Sequence, residues 1–234
     1  MTQLAPSVVA ELGRFSTPSV LNGLKRLGQT PMQLQSMDRR AVRCMAPDLG
    51  VRVGFAATST VATRRDGEAP SAEQTREVTA RRDEGILGLP EPRILVVENV
   101  GDWQGPVCIW GEVTANVNRA LGCTAGITNG PVRDLPEMEA VGFQTFAGGP
   151  GVGGGYVDFL AAGKPVVVGG VTIEHGDLIH ADVHGVVKVP LELAPELPDA
   201  IREVEALERR VIDVCRSPDF SPEALAAARA TTAH

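Results

Sequence analysis

The 234 residues carry 22 Lys and Arg against 29 Asp and Glu, a formal net charge of −7, and 43% of them are hydrophobic. A chain of this size can bury a core unaided, as one large domain or at most two small ones, and its negative balance leaves no electrostatic footprint for a nucleic-acid backbone. Aromatics are 4% while Gly numbers 26 and Pro 17, which favours a turn-rich α/β chain over a helical bundle.

In chain order, Val8, Val9, Leu12 and Phe15 recur at helical spacing and predict a helix over 7–15. Ser16-Thr17-Pro18 reads as an N-cap with proline in the first turn, opening a second helix that runs to about Leu27 and stops at Gly28. The β-branched and small residues of 51–61 predict a strand, and the polar stretch 64–82 a loop and a helix whose charges face water. Ile94-Leu95-Val96-Val97 is an unbroken apolar run, the pattern of a strand buried on both faces. The chain then alternates: a helix over 111–121, a short strand over 125–128, a helix over 134–141, a strand over 143–147 and a two-turn helix over 156–162. Val166–Val168 and Val171–Ile173 flank Gly169-Gly170 as a hairpin, and after a turn at 175–177 the segment 178–189 is broken at Gly185. Pro195–Cys215 sets Leu197, Ile201, Val204, Leu207, Val211 and Val214 at near-heptad spacing on a charged helix, a face that packs on the core or on another subunit.

Cys44, Cys108, Cys123 and Cys215 form no C-x-x-C pair, so reduced, buried thiols are expected rather than a zinc knuckle or a disulfide framework. Residues 1–12 lack a basic start followed by an apolar stretch, and no segment is long enough to span a bilayer, so a cytoplasmic protein with no membrane partner is expected.

The densest local chemistry is Asn129-Gly130-Pro131-Val132-Arg133-Asp134, between a strand and a helix, where α/β proteins present functional side chains. Asp134 with Glu137 three residues on also fits a capping box. Upstream, Trp110-Gly111-Glu112-Val113-Thr114 opens a helix whose N–H groups can receive a carboxylate. Twenty residues separate Glu112 from Arg133, so two carboxylates and a guanidinium sit at consecutive helix starts. Oxygen ligands plus water suit Mg²⁺ or Mn²⁺, and the arginine suits a bidentate anion or an enolate oxygen. Gly149-Pro150-Gly151-Val152-Gly153-Gly154 satisfies G-x-G-x-x-G, yet the chain beyond it has no room for a doubly wound sheet, so a glycine-rich loop beside the pocket is expected. His180, Asp182 and His184 alternate on one strand face, a pattern open to a metal but read as structural for want of a fourth ligand.

Gly111-Glu112, Gly122, Gly130, Arg133-Asp134 and Gly142-Phe143, continued by Gly176-Asp177 and Asp182-Val183-His184-Gly185-Val186-Val187, resemble the RraA-like family over roughly 15–190. That family holds class II 4-hydroxy-4-methyl-2-oxoglutarate/4-carboxy-4-hydroxy-2-oxoadipate aldolases and the regulator of ribonuclease E activity. The resemblance implies a single swivelling β/β/α domain over 1–234, with a core at 15–190 and a C-terminal helical extension at 195–234, assembled as a homotrimer or homohexamer with sites near subunit boundaries. It implies a lyase that cleaves a 4-hydroxy-2-oxo acid to pyruvate and decarboxylates oxaloacetate on the side. Asp134 would bind Mg²⁺ or Mn²⁺, Arg133 would hold the keto acid and its enolate, and Glu112 would act near metal-bound water as the base. The backbone around Gly111, Glu112, Val113 and Thr114 would receive the pyruvate carboxylate. Glu112 is one methylene longer than the Asp some branches carry, which shifts the water it positions. The other reading the resemblance allows is a non-catalytic regulator that binds a ribonuclease or another protein partner.

Overall fold

The computed structural model describes residues 4–102 and 104–230. Its elements are α1 (Pro6–Leu12), α2 (Thr17–Arg26), β1 (Gln35–Ser36), β2 (Arg43–Cys44), β3 (Arg52–Arg64), α3 (Ala72–Leu87) and β4 (Arg93–Asn99). Then follow α4 (Glu112–Ala120), β5 (Cys123–Thr128), β6 (Pro131–Val132), α5 (Leu135–Ala140), β7 (Gln144–Ala147), β8 (Gly149–Pro150) and β9 (Tyr156–Ala162). The chain ends with β10 (Val166–Val168), β11 (Val171–Ile173), β12 (Leu178–Asp182), β13 (Gly185–Val189), α6 (Leu197–Arg216) and α7 (Pro222–Ala230).

A mixed sheet in the order β1-β13-β12-β3-β4-β5-β7-β2 forms the middle layer. Its centre, β3-β4-β5-β7, is parallel, and the flanking pairs are antiparallel. The apolar run of β4 is buried on both sides because successive side chains serve different cores. Ile94 and Val96 join Phe146, Ile127 and the β10–β11 hairpin on one face. Leu95 and Val97 join Ile86 of α3, Ala115 of α4 and Met138 of α5 on the other. The result is a mixed α/β domain in three layers, hairpin, sheet and helices. A third cluster, with Leu12, Leu24, Leu197 and Ile201, packs α1, α2 and α6 on the ends of β3, β12 and β13.

Most predicted elements are present with ends shifted by a few residues. Ser16 caps α2, accepting from the Ser19 N–H, and the Gly169-Gly170 hairpin has φ of 57° and 79° at its two glycines. On α6, Leu197, Ile201 and Val204 are buried, while Leu207, Val211 and Val214 are half-covered. The helix expected at 156–162 is a strand. Tyr-Val-Asp-Phe-Leu is β-prone, and β9 pairs antiparallel with the outer half of β3, from Tyr156↔Arg64 to Ala162↔Ser59, supplying partners that β3 would otherwise lack. The expected burial of all four thiols is also corrected: Cys123 is buried, Cys44 and Cys108 are half-buried and Cys215 is exposed, because the last turns of α6 extend past the core. All four are free. The last residues of the predicted C-terminal extension, 231–234, lie outside the described residues.

Candidate functional site

The parallel strands β4, β5 and β7 end side by side, and the loops that leave them stack edge to edge. Asn129 fastens the first two: its Oδ1 accepts the Asn99 N–H at 2.8 Å and its Nδ2 donates to the Asn99 carbonyl at 3.0 Å. Beyond that point the Ile109 N–H donates to the Pro131 carbonyl at 2.8 Å and the Arg133 N–H to the Trp110 carbonyl at 3.1 Å. The Gly151 N–H reaches the Val132 carbonyl at 2.8 Å, and Val107 bridges Gly153. The start of α4 is thereby laid against the start of α5.

Asp134 joins them. Its φ of 55° is the one positive value at a non-glycine residue among those described, a left-handed conformation that Asp tolerates better than most. It precedes α5, yet its side chain makes no capping bond there. The capping-box alternative therefore fails: the carboxylate crosses over, and Oδ2 accepts the Glu112 N–H at the start of α4 at 3.1 Å. Gly111, the N-cap of α4, has no side chain because the space is taken; a Cβ there would stand 2.1 Å from Asp134 Oδ2 and 3.1 Å from Arg133 Cγ. A helix that begins at Gly rather than at Ser, Thr, Asn or Asp is a sequence signal that its cap comes from elsewhere. Arg133 Nε lies 3.6 Å from Asp134 Oδ2, and about half of the arginine side chain is exposed.

Gly111, Val113, Thr114, Arg133 and Asp134 line one cavity of about 240 Å³. Glu112 lends its N–H to Asp134, and its side chain is exposed at the helix start. The opposite wall, missed in the sequence, consists of Val107, Cys108, Ile109, Val157 and the backbone of 153–155. Burial pushes the Cys108 thiol up, and the nearby Arg133 charge opposes that only in part. The glycine-rich loop lies beside this cavity and also lines a larger cleft of about 610 Å³ with Arg40 and Asn129. It leads into β9 rather than into a helix, so it presents no helix end to a pyrophosphate.

Asp134 also sets which metal the site could hold. Oδ2 of Asp134 is used by the Glu112 N–H, its other oxygen has no donor among the described residues, and its side chain is 38% exposed. Among the described residues no three His, Cys, Asp or Glu side chains converge. One carboxylate completed by water and substrate oxygens fits Mg²⁺ or Mn²⁺ and does not fit a closed zinc site.

The other candidate constellation is structural. The buried His180 presents Nε2 to the Leu12 carbonyl at 3.2 Å, which can only accept, so Nδ1 accepts from the Thr17 hydroxyl at 3.0 Å. Asp182 accepts the N–H groups of Thr17 and His184 at 2.9 and 2.8 Å. Together they fasten the α1–α2 corner to β12.

Residues 24–188 match the family model RraA-like, described as Aldolase/RraA. The chain belongs to the RraA-like family. An uncharacterized protein of Methanocaldococcus jannaschii is 28% identical over 135 residues, and the match spans 53% of this chain and 61% of that relative's length. A crystal structure of an uncharacterized protein from Pseudomonas syringae pv. tomato superposes with a TM-score of 0.74 at 25% identity, covering 98% of this chain and 96% of that one. Streptomyces coelicolor RraAS2, described as an unusual member of the RNase ES inhibitor RraA protein family, shares the fold with a TM-score of 0.67 at 22% identity, covering 89% of this chain and 97% of that one. The family includes lyases and non-catalytic members.

Proposed function

We propose that this RraA-like protein is a divalent-metal-dependent, class II carbon–carbon lyase that cleaves a 4-hydroxy-2-oxo acid, such as 4-hydroxy-4-methyl-2-oxoglutarate, to pyruvate. The observation that carries the reading is Asp134, held in a left-handed conformation with its carboxylate across the start of α4 and Arg133 beside it on one cavity wall. Strained, exposed backbone of this kind concentrates at working sites.

The first-turn N–H groups of Val113 and Thr114 have no acceptor within α4, so they and the helix dipole receive the substrate carboxylate. Arg133 faces the C2 oxygen and offsets the negative charge that develops there. Asp134 would hold the Mg²⁺ or Mn²⁺ ion, which when bound polarises the 2-oxo group as a Lewis acid. Glu112, exposed at the rim, takes the proton of the C4 hydroxyl through water. The enolate that results also forms when oxaloacetate loses CO₂, so decarboxylation accompanies the lyase activity.

Pyruvate release from these substrates is expected to require added Mg²⁺ or Mn²⁺ and to cease in EDTA. Asp134→Asn, which tolerates the same backbone conformation and can still accept the Glu112 N–H, is expected to fold and to lose activity at least about 100-fold. Turnover that survives chelation, or survives in the folded variant, defeats the assignment. Capture of a ribonuclease by a protein that turns over no keto acid would establish the regulator instead.

A further inference from the structure

We infer that the chain carries a second small-molecule site, at the β1–β13 edge of the sheet, which takes a short apolar hydroxycarboxylate. Arg39 receives the carboxylate, His184 the hydroxyl, and the wall between α2 and β13 the hydrocarbon tail. The site shares no lining residue with the cavity that holds Arg133, so it stands apart from the lyase reading.

The tautomer of His184 comes first. Asp182 ends β12 with its side chain only 6% exposed, and an ionised carboxylate can only accept. Oδ2 takes the Thr17 N–H and Oδ1 the His184 N–H, and both oxygens lie 3.2 Å from His184 Nδ1. Nδ1 therefore carries the imidazole proton, and Nε2 keeps a lone pair with no partner among the described residues. The side chain that presents it is 56% exposed. His180, by contrast, spends both ring nitrogens on Leu12 and Thr17, so His184 is the member of the alternating set left open to a ligand.

His184 and Arg39 line one pocket of about 250 Å³, whose apolar surface comes from Pro18 and Leu21 of α2, Met37, and Val186 and Val187 of β13. Met37, Val186 and Val187 are buried and form its floor. Arg39 is exposed and makes no ion pair among the described residues, whereas Arg40 beside it is held by Asp38 at 2.8 Å. Asp182, the acid behind His184, is already met by three donors, so the open charge on the rim is positive and favours an anion. The bare nitrogen of His184 accepts, which asks for a hydroxyl on the same ligand, and the aliphatic floor asks for a hydrocarbon body. An apolar pocket with a few convergent polar groups is the usual build of a small-molecule site, and this one falls just under the common range of about 300–1,000 Å³, so its occupant is small.

The test is calorimetric titration of the full chain with 2-hydroxyhexanoate, hexanoate and hexanamide at about pH 8. The hydroxy acid is expected to bind, hexanoate several-fold more weakly, and the uncharged amide at least about tenfold more weakly than the hydroxy acid. Arg39→Gln, at an exposed position, is expected to weaken the hydroxy acid at least about tenfold, and Arg133→Gln to leave its affinity unchanged. Failure of the native chain to bind the hydroxy acid, equal affinity with and without the hydroxyl, or a loss in Arg133→Gln with none in Arg39→Gln overturns the inference. Nitrogen NMR of the labelled chain reads His184 without any substitution. Nδ1 is expected to carry the proton throughout, and the Nε2 signal to move on saturation with 2-hydroxyhexanoate and not with hexanoate. An unprotonated Nδ1, or an Nε2 signal that the bound hydroxy acid leaves in place, overturns it as well.

Discussion

Gly111 illustrates how little tolerance the site has at the level of single atoms. Its backbone is extended rather than left-handed, with φ of −151°, so any residue could adopt the conformation; what excludes a side chain is the Asp134 carboxylate. In Gly111→Ala the added methyl and that carboxylate cannot coexist, and Asp134 has to leave the α4 amide. Because a displacement of about 1 Å at a reacting group costs roughly 100-fold, kcat/KM is expected to fall by about that factor while the thermal midpoint drops by only a few degrees. Steady-state kinetics and thermal melts on the same preparation check both. The motif itself was legible in the sequence, since Glu112, Arg133 and Asp134 stand at helix starts as expected. The direction of the Asp134 side chain was not, because the same letters satisfy a capping box and only a backbone angle of positive φ turns the carboxylate across to the neighbouring helix.

Between elements, two contacts make opposite demands on the flanking helices. His180 is fully buried between α1 and α2, and burial holds its pKa below the usual 6.5. The folded imidazole is thus neutral, while the unfolded one takes up a proton once the pH falls below about 6.5. Stability is complete above that value and declines as the pH drops toward the depressed folded pKa. Asp182 extends the loss: burial raises its carboxyl, but hydrogen bonds from Thr17 and His184 outweigh this and hold it below 3.8, so its share of the stability disappears in the acid carboxylate range. Urea midpoints measured from pH 7.5 to 5 are expected to fall for the native chain and to be flatter for His180→Gln, whose own midpoint at pH 7.5 is lower. At the α2–α6 crossing, a Cβ on Gly23 would stand 2.6 Å from Ile201 Cγ1 and 2.8 Å from Leu197 Cδ1, both residues fully buried. Helix propensity alone favours Gly23→Ala by about 1 kcal/mol, but overpacking costs about 1–3 kcal/mol. The variant is expected to be less stable by about 1 kcal/mol in urea titration. Element types set by local patterning, such as the β4 run and the β10–β11 hairpin, could be read directly from the chain. β9 could not, because its strand character comes from the unpaired outer half of β3, nearly a hundred residues earlier.

For the molecule as a whole, the family match over 24–188 takes in the sheet, the hairpin layer and the site, and leaves out α1, α6 and α7. Of these, α1 and α6 cover the apolar ends of β3, β12 and β13, and α7 packs on α6. No described helix is long and apolar enough to cross a membrane. Val113 and Val117, one turn apart on α4, are 78% and 45% exposed, and Val113 lines the cavity. An assembly that covered this stripe would place a subunit boundary at the site. Light scattering is expected to return three or six times the 24.6 kDa chain mass, and Val117→Glu is expected to lower it.

The bond from Asp134 to the Glu112 amide also sets a rule for how this chain can change in length. One carboxylate has to span the starts of two successive helices, so the segment from 113 to 133 has a fixed count: α4, the turn at 121–122, β5 and the 129–132 loop together deliver Arg133 and Asp134 to within hydrogen-bonding reach of position 112. Adding or removing one residue inside it would rotate or translate the acid away from its amide. The 65–71 loop between β3 and α3 is itself held at the Asp66 and Glu68 carbonyls by the Arg64 guanidinium, so a tag or reporter grafted there belongs after Glu68, where it leaves that anchor and the cavity undisturbed.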